Sequence, residues 1–196
     1  MSSSWTRAID AIIRGDANHY AGVRLGRSPV SLKQFGLGTF DLEMTAGKIA
    51  KARKDHPEIS LKIWYDLPEL LQDPHAIFPS ARDDGSVVVV IAVVDCDGNP
   101  VIVPIIENAD RKRNVVLSVY GKSGTDRLTG FQWIDNQIAA AKREGRQTFE
   151  KSGSADSKPK PESADAISWL PDLISVNRST EPKREILSIR KKSTNE

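Results

Sequence analysis

The chain has 196 residues, 39% of them hydrophobic, and its 28 Lys and Arg against 26 Asp and Glu leave a formal net charge of +2. That length holds one medium domain with appendages or at most two small ones. So small a surplus of cations makes any nucleic-acid site a local feature rather than a property of the whole surface. The single cysteine, Cys96, excludes an intrachain disulfide and a multi-cysteine zinc site, and no stretch approaches the roughly 20 apolar residues of a membrane span.

In chain order, the N-terminus MSSSWTRAIDAIIRGD has an arginine and an aspartate where a signal peptide needs an unbroken apolar core. The expected location is the cytoplasm, or a host cytoplasm after delivery. Trp5, Ile9, Ile12 and Ile13 fall near one face of a short helix over residues 4–14. Residues 20–38 are broken by glycines and a proline and read as loop. A helix follows, with Thr45 as its cap, Met44 and Ile49 among its apolar positions, and Pro57 as its stop. Ile59, Ile63, Leu67, Leu70 and Leu71 predict a further helix in which Pro68 begins a new turn and Pro74 marks the end.

The sheet signal is stronger. SVVVVIAVVD, the hairpin turn Asp97-Gly98 and the return strand PVIVPIIEN predict an antiparallel pair. Pro104 lacks an N–H, so it calls for an edge position or a bulge. RNVVLSVYGK adds a third strand, completing a meander, and GFQWIDNQIAAAKREG is a helix closed by Gly145. These elements give an α+β fold, with N-terminal helices packed on a small antiparallel sheet. The expected organisation is an N-terminal helix and loop (1–22), the α+β domain (23–145), a polar linker (146–164), and a docking segment with a basic tail (165–196). Trp64, Trp133 and Trp169 lie in apolar-periodic segments and are expected in the core.

The third strand carries Ser118, Tyr120 and Lys122 at every second position. In an unbroken strand these side chains share one face, either the solvent side of a half-buried sheet or a concave surface that handles a polar ligand. Hydroxyls, a phenol and an ammonium suit an anion such as phosphate. They do not suit a divalent metal, and the acids are scattered through turns and helices, so no metal or other cofactor is expected. There is no Gly-rich phosphate loop and no Gly-x-Ser-x-Gly. Of the three histidines, His19 lies in a loop and His75 between helix and sheet, whereas His56 ends a helix rich in Lys48, Lys51, Arg53 and Lys54. There it serves either as a cation favoured by the helix dipole or as a proton-transfer group.

The run TAGKIAKARKDHPEISLKIWYDLPELLQDPHAIFPS, then the valine-rich strand pair, then VVLSVYGKS and Trp133-Ile134, resembles the C-terminal domain of phage MuF-type proteins, from about Val23 to Trp133. This family is grouped with the barnase–EndoU–colicin–RelE-like nucleases. The resemblance implies a barnase/RelE-like fold and a metal-independent ribonuclease of phage or prophage type, deployed as a toxin. Its partners would be RNA and, beyond that, a cognate inhibitor or a phage head protein, with no membrane. By position it implies that Tyr120 and Lys122 lie near the phosphate, that Ser118 orients by hydrogen bonding, and that His56 is the acid or base. Lys54 and Asn108 would contact RNA or phosphate. The alternative is a non-catalytic phage-associated module that is structural or binds nucleic acid.

Overall fold

A computed structural model describes residues 3–82, 84–125 and 127–151. Helix α1 (Ser4–Arg14) starts at Ser3, whose hydroxyl accepts from the Thr6 N–H at 3.0 Å, and ends at Gly15, left-handed at φ 80°. Its apolar stripe buries Trp5 and Ile9. Helix α2 (Ala46–Asp55) is capped by Thr45, as the sequence implies, and its last turn closes on the His56 N–H donated to the Ala52 carbonyl. Helix α3 (Leu61–Leu70) is capped by the Ser60 hydroxyl.

The α3 helix runs through Pro68 rather than restarting at it. A proline there removes the N–H that would bond the carbonyl four residues back, on Trp64. That carbonyl instead accepts the indole N–H of Trp5 at 2.6 Å, deep in the core. One side chain of α1 thus satisfies the acceptor that Pro68 orphans, and ties the two helices together at that point. Replacing Trp5 with Phe keeps most of the apolar contact and leaves the carbonyl unpaired. The expected cost is about 1–3 kcal/mol, read as a lowered urea midpoint with an unchanged m-value.

The sheet is larger than a meander and is mixed. Its strands are β1 (Gly22–Arg27), β2 (Asp41–Thr45), β3 (Ala76–Pro79), β4 (Val87–Val94), β5 (Pro100–Asn108), β6 (Arg113–Val116), β7 (Tyr120–Gly121) and β8 (Phe149–Glu150). They lie in the order β1-β2-β6-β5-β4-β3-β8, with β7 also paired to β5. All pairs are antiparallel except β2 with β6, which run parallel. Two strands occupy sequence that reads as loop or helix. β1 lies within residues 20–38, and Met44 is a buried strand residue of β2 rather than part of α2. The short 3-10 helix Val30–Phe35 spans between them. The stretch after Arg146 contributes β8 to the sheet edge. The linker, docking segment, basic tail and Trp169, from residue 152 on, lie outside the described residues.

Alternation along the strands sends side chains to two cores. Val87, Val89, Ile91, Val101, Val103 and Ile105 pack with α1, α2 and α3, while Val88, Val90, Ile102 and Phe78 pack with Ile134 and Ile138 of α4 (Gly130–Arg143). The second face of the sheet is therefore partly roofed by α4, and not free throughout. Trp64 is in the first core; Trp133 is only partly buried and meets Phe78 edge-on, with ring centres 6.1 Å apart.

The third strand is interrupted. Ile105 pairs with Val116 and Ile102 with Tyr120, so three steps on β5 oppose four on the other strand. This is a one-residue bulge at 117–119. It sits opposite Pro104, whose carbonyl accepts from the Leu117 N–H at 2.9 Å. An antiparallel residue points its N–H and carbonyl to the same side, so the missing donor of Pro104 faces the bulge and no ladder bond is lost. The extra residue also reverses the alternation. Val116 and Val119 both enter the first core, and Tyr120 packs on the second. Ser118 and Tyr120 consequently do not form a single row with Val116.

Candidate functional site

Three residues singled out in the sequence come together where the C-terminus of α2, the β4–β5 turn and the end of β7 meet. His56, Glu58, Asp95, Asp97, Asn99 and Tyr120 line a cleft of about 330 Å³, with Gly121, Lys122 and Ser123 completing it. The His56 and Tyr120 rings stack, with centres 5.3 Å apart and planes 26° from parallel. The Nδ1 of His56 lies 3.0 Å from Oε1 of Glu58. The two side chains keep 30% and 20% of their exposure, so both can be reached from the cleft yet are partly screened from water.

Position is fixed largely by backbone. Pro57 forbids α2 from continuing and turns the chain so that Glu58 returns beside His56. The Glu58 carbonyl then accepts from the Cys96 N–H at 3.0 Å, which ties this corner to the β4–β5 turn. That turn is organised by the buried carboxylate of Asp95, 5% exposed. Its Oδ1 accepts from the Asp97 and Asn99 N–H groups at 2.9 and 2.8 Å, and its Oδ2 accepts from the Asn99 amide at 3.2 Å. Across from it, Gly121 has no side chain, and a Cβ there would overlap the Asp95 carboxylate. The Lys122 N–H donates to the Pro100 carbonyl at 2.8 Å, which carries the β5–β7 pairing one step further. The Lys122 carbonyl in turn packs so closely on Gly130 that α4 can begin there only with glycine. Lys122 Nζ lies 4.5 Å from the centre of the Trp133 ring, a cation–π contact that holds the ammonium at the cleft edge.

Burial raises the pKa of the Tyr120 phenol, an effect that the nearby Arg82 charge opposes. The folded chain therefore holds this proton to higher pH than the unfolded chain does. The stability it contributes is complete below the unfolded tyrosine range, near pH ~10, and is lost as pH rises through the raised folded value. Tyr65, raised by its hydrogen bond to Asp10, acts in the same window. Urea midpoints should thus fall as pH rises above about 10, and Tyr120→Phe should shallow that fall without abolishing it.

Other expected site residues lie elsewhere. Ser118 is in the bulge and does not line the cleft. Asn108 is at the far end of β5, six residues from the Ile102–Tyr120 pair, a separation of about 20 Å along the strand. Its side chain accepts from the Arg111 N–H at 3.0 Å and shapes the β5–β6 turn. Lys54 is exposed in the last turn of α2, outside the cleft. The sequence reading missed Glu58, Asp97 and Asn99. Glu58 is only two residues from His56, and the pairing of Val101 with Gly121 places the Asp97 turn beside Lys122.

Where the acids read as scattered, the fold gathers Glu58, Asp95 and Asp97 around one cleft with His56, Tyr120 and Lys122. Among the described residues no group of His, Cys, Asp and Glu is arranged to hold a metal ion. No helix among them is long and apolar enough to cross a membrane.

The family model described as Phage MuF-C-terminal domain matches residues 48–144. No curated protein and no solved structure matches the chain significantly. The matched segment runs from the first turn of α2 to the C-cap of α4 and contains every residue that lines the cleft. Residues 48–144 thus carry the sequence pattern of a phage MuF C-terminal domain.

Proposed function

We propose that this domain is a metal-independent endoribonuclease of phage or prophage type, cleaving RNA by attack of a 2′-OH on the adjacent phosphate. The observation that carries the reading is the hydrogen-bonded His56–Glu58 pair stacked on Tyr120 beside Lys122. Transesterification needs a base for the 2′ proton, a proton for the departing 5′ oxygen, and positive charge near the phosphate. Glu58 holds the Nδ1–H of His56, leaving Nε2 as the base. The phenol of Tyr120, kept protonated by its burial, donates to a non-bridging oxygen. Lys122 offsets the developing charge and gives its proton to the 5′ oxygen. The O2′–P bond forms as the P–O5′ bond breaks, and the product ends in a 2′,3′-cyclic phosphate. DNA lacks the attacking hydroxyl and would be spared.

A phage domain fits a phage protein as partner, and a cognate inhibitor would be expected of a toxin. Expression in cells tests the toxin aspect. Wild-type chain should arrest growth and a Lys122→Ala chain should not. Equal growth at equal soluble expression would favour a non-catalytic phage accessory.

A further inference from the structure

We infer, on the basis of the nuclease reading above, that RNA enters the cleft as a single strand laid along the outer face of helix α2, its phosphates on Lys48, Lys51 and Lys54 and one base stacked on Tyr20. Helix α2 turns Ala46, Ile49 and Ala52 into the core. Its outward face carries Lys51 and Lys54, both exposed, with Lys48 part-exposed beside them. The helix holds four cations, Lys48, Lys51, Arg53 and Lys54, against one acid, Asp55. The hydrogen bond from Lys51, ahead of the charges of Lys51, His56 and Lys54, holds the Asp55 carboxyl below its usual range. One carboxylate thus sits among several cations and leaves a surplus. Among the described residues the side chains of Lys48 and Lys54 have no hydrogen bond or ion pair. Lys48 also stands in the first turn, where the helix dipole disfavours a cation and no acid offsets it. Helix stability does not account for that placement, whereas an anionic ligand does.

Gly47, Lys51 and Lys54 are spaced i, i+4, i+7 and form one stripe. Gly47 leaves the start of the stripe bare, and His19 packs there: a Cβ on Gly47 would come 3.4 Å from the His19 Cβ. Two bonds fix this loop, from the Gly47 N–H to the His19 carbonyl and from the Ala46 N–H to the Ala21 carbonyl, both 2.9 Å. They occupy the first N–H groups of α2, so phosphates fall to the lysines and not to the helix N-terminus. Tyr20 lies between the two anchors and is 93% exposed. An open ring on an anchored backbone is a stacking platform for a base. At its other end the stripe stops two residues before His56, which lines the cleft. The helix between is about 15 Å long, a few nucleotides of extended strand.

The test uses the full chain in EDTA and two DNA oligonucleotides, each with one ribonucleotide. One is about sixteen nucleotides long; the other is a trinucleotide with the ribonucleotide at its centre, too short to run the length of α2. Wild type should cleave the long substrate with a kcat/KM at least about tenfold above that for the trinucleotide. Tyr20→Ala should raise KM for the long substrate by about fivefold or more. The double variant Lys48→Gln/Lys54→Gln should raise it too, and should shallow the slope of log KM against log salt by about 1.4, or about 0.7 for each phosphate released. Both losses should fall on the long substrate far more than on the trinucleotide. Glutamine keeps the helix propensity of lysine and Tyr20 is almost fully exposed, so the variants should fold normally. Equal kcat/KM for the two substrates in wild type, a length advantage and salt slope that survive both variants, or equal losses on both substrates would overturn the inference and leave the nuclease reading standing. Cleavage of neither substrate by folded wild type would sink both.

Discussion

His56→Ala is expected to lower RNA cleavage by about 10²–10⁴-fold, the range over which a positioned base contributes, while leaving the fold intact. The ring sits at the end of α2 with 30% of its side chain still exposed, so its loss opens no sealed cavity. Thermal unfolding should shift by only a few degrees, roughly what about 1 kcal/mol produces in a domain of this size. The Glu58→Gln variant separates orientation from mere packing. The glutamine keeps the volume but no longer favours the proton on Nδ1 of His56, so kcat should fall while the fold and the urea midpoint are kept. Lys122→Ala should also cut the rate without unfolding the chain. If His56→Ala cleaves at the wild-type rate, the histidine is only a helix cap stacked on a tyrosine.

Gly121→Ala should be the most damaging single methyl in the cleft. An added Cβ would overlap the Asp95 carboxylate, which is buried and organises the whole β4–β5 turn. Either β7 moves away from β5, or the carboxylate moves and the Asp97 and Asn99 N–H groups lose their acceptor. Overpacking and loss of buried polar partners each cost about 1–3 kcal/mol, and here they act together. A loss of about 3 kcal/mol is expected, measured by urea unfolding, and with it most of the cleavage activity. Asp95→Ala alone should also destabilise, by orphaning the turn. The double variant should cost less than the sum, because the carboxylate that clashes is gone. Strict additivity would mean that the contact at Gly121 does not bear on Asp95.

What could be read from the sequence is what depends on local pattern. The valine run, the Asp97-Gly98 turn and the caps at Thr45 and Pro57 each act over a few residues, and each appears in the structure at its expected place. The first strand was hidden because Gly22 and Gly26 within it, and Pro29 and Gly36 after it, punctuate residues 20–38 like a loop, and the second because Met44 reads as part of the helix that Thr45 caps. They form only by long-range pairing, including the parallel alignment of Leu42 with Asn114, where the buried amide of Asn114 pins Ser28 and Gly38. The row of Ser118, Tyr120 and Lys122 was legible as residue types but not as geometry. One inserted residue opposite Pro104 breaks the alternation that began at Val116, and Ser118 does not line the cleft. That His56 reaches Tyr120 depends on how α2 lies across the sheet, which no local spacing encodes.

The most direct test is to incubate purified full-length chain with a single-stranded RNA and its fully 2′-O-methylated counterpart, in EDTA, and to analyse the fragments by mass spectrometry. The RNA should be cut, its upstream fragments should end in 2′,3′-cyclic phosphate, and the methylated strand should survive. Intact RNA in the presence of folded protein, or equal cutting of both strands, would contradict the ribonuclease reading.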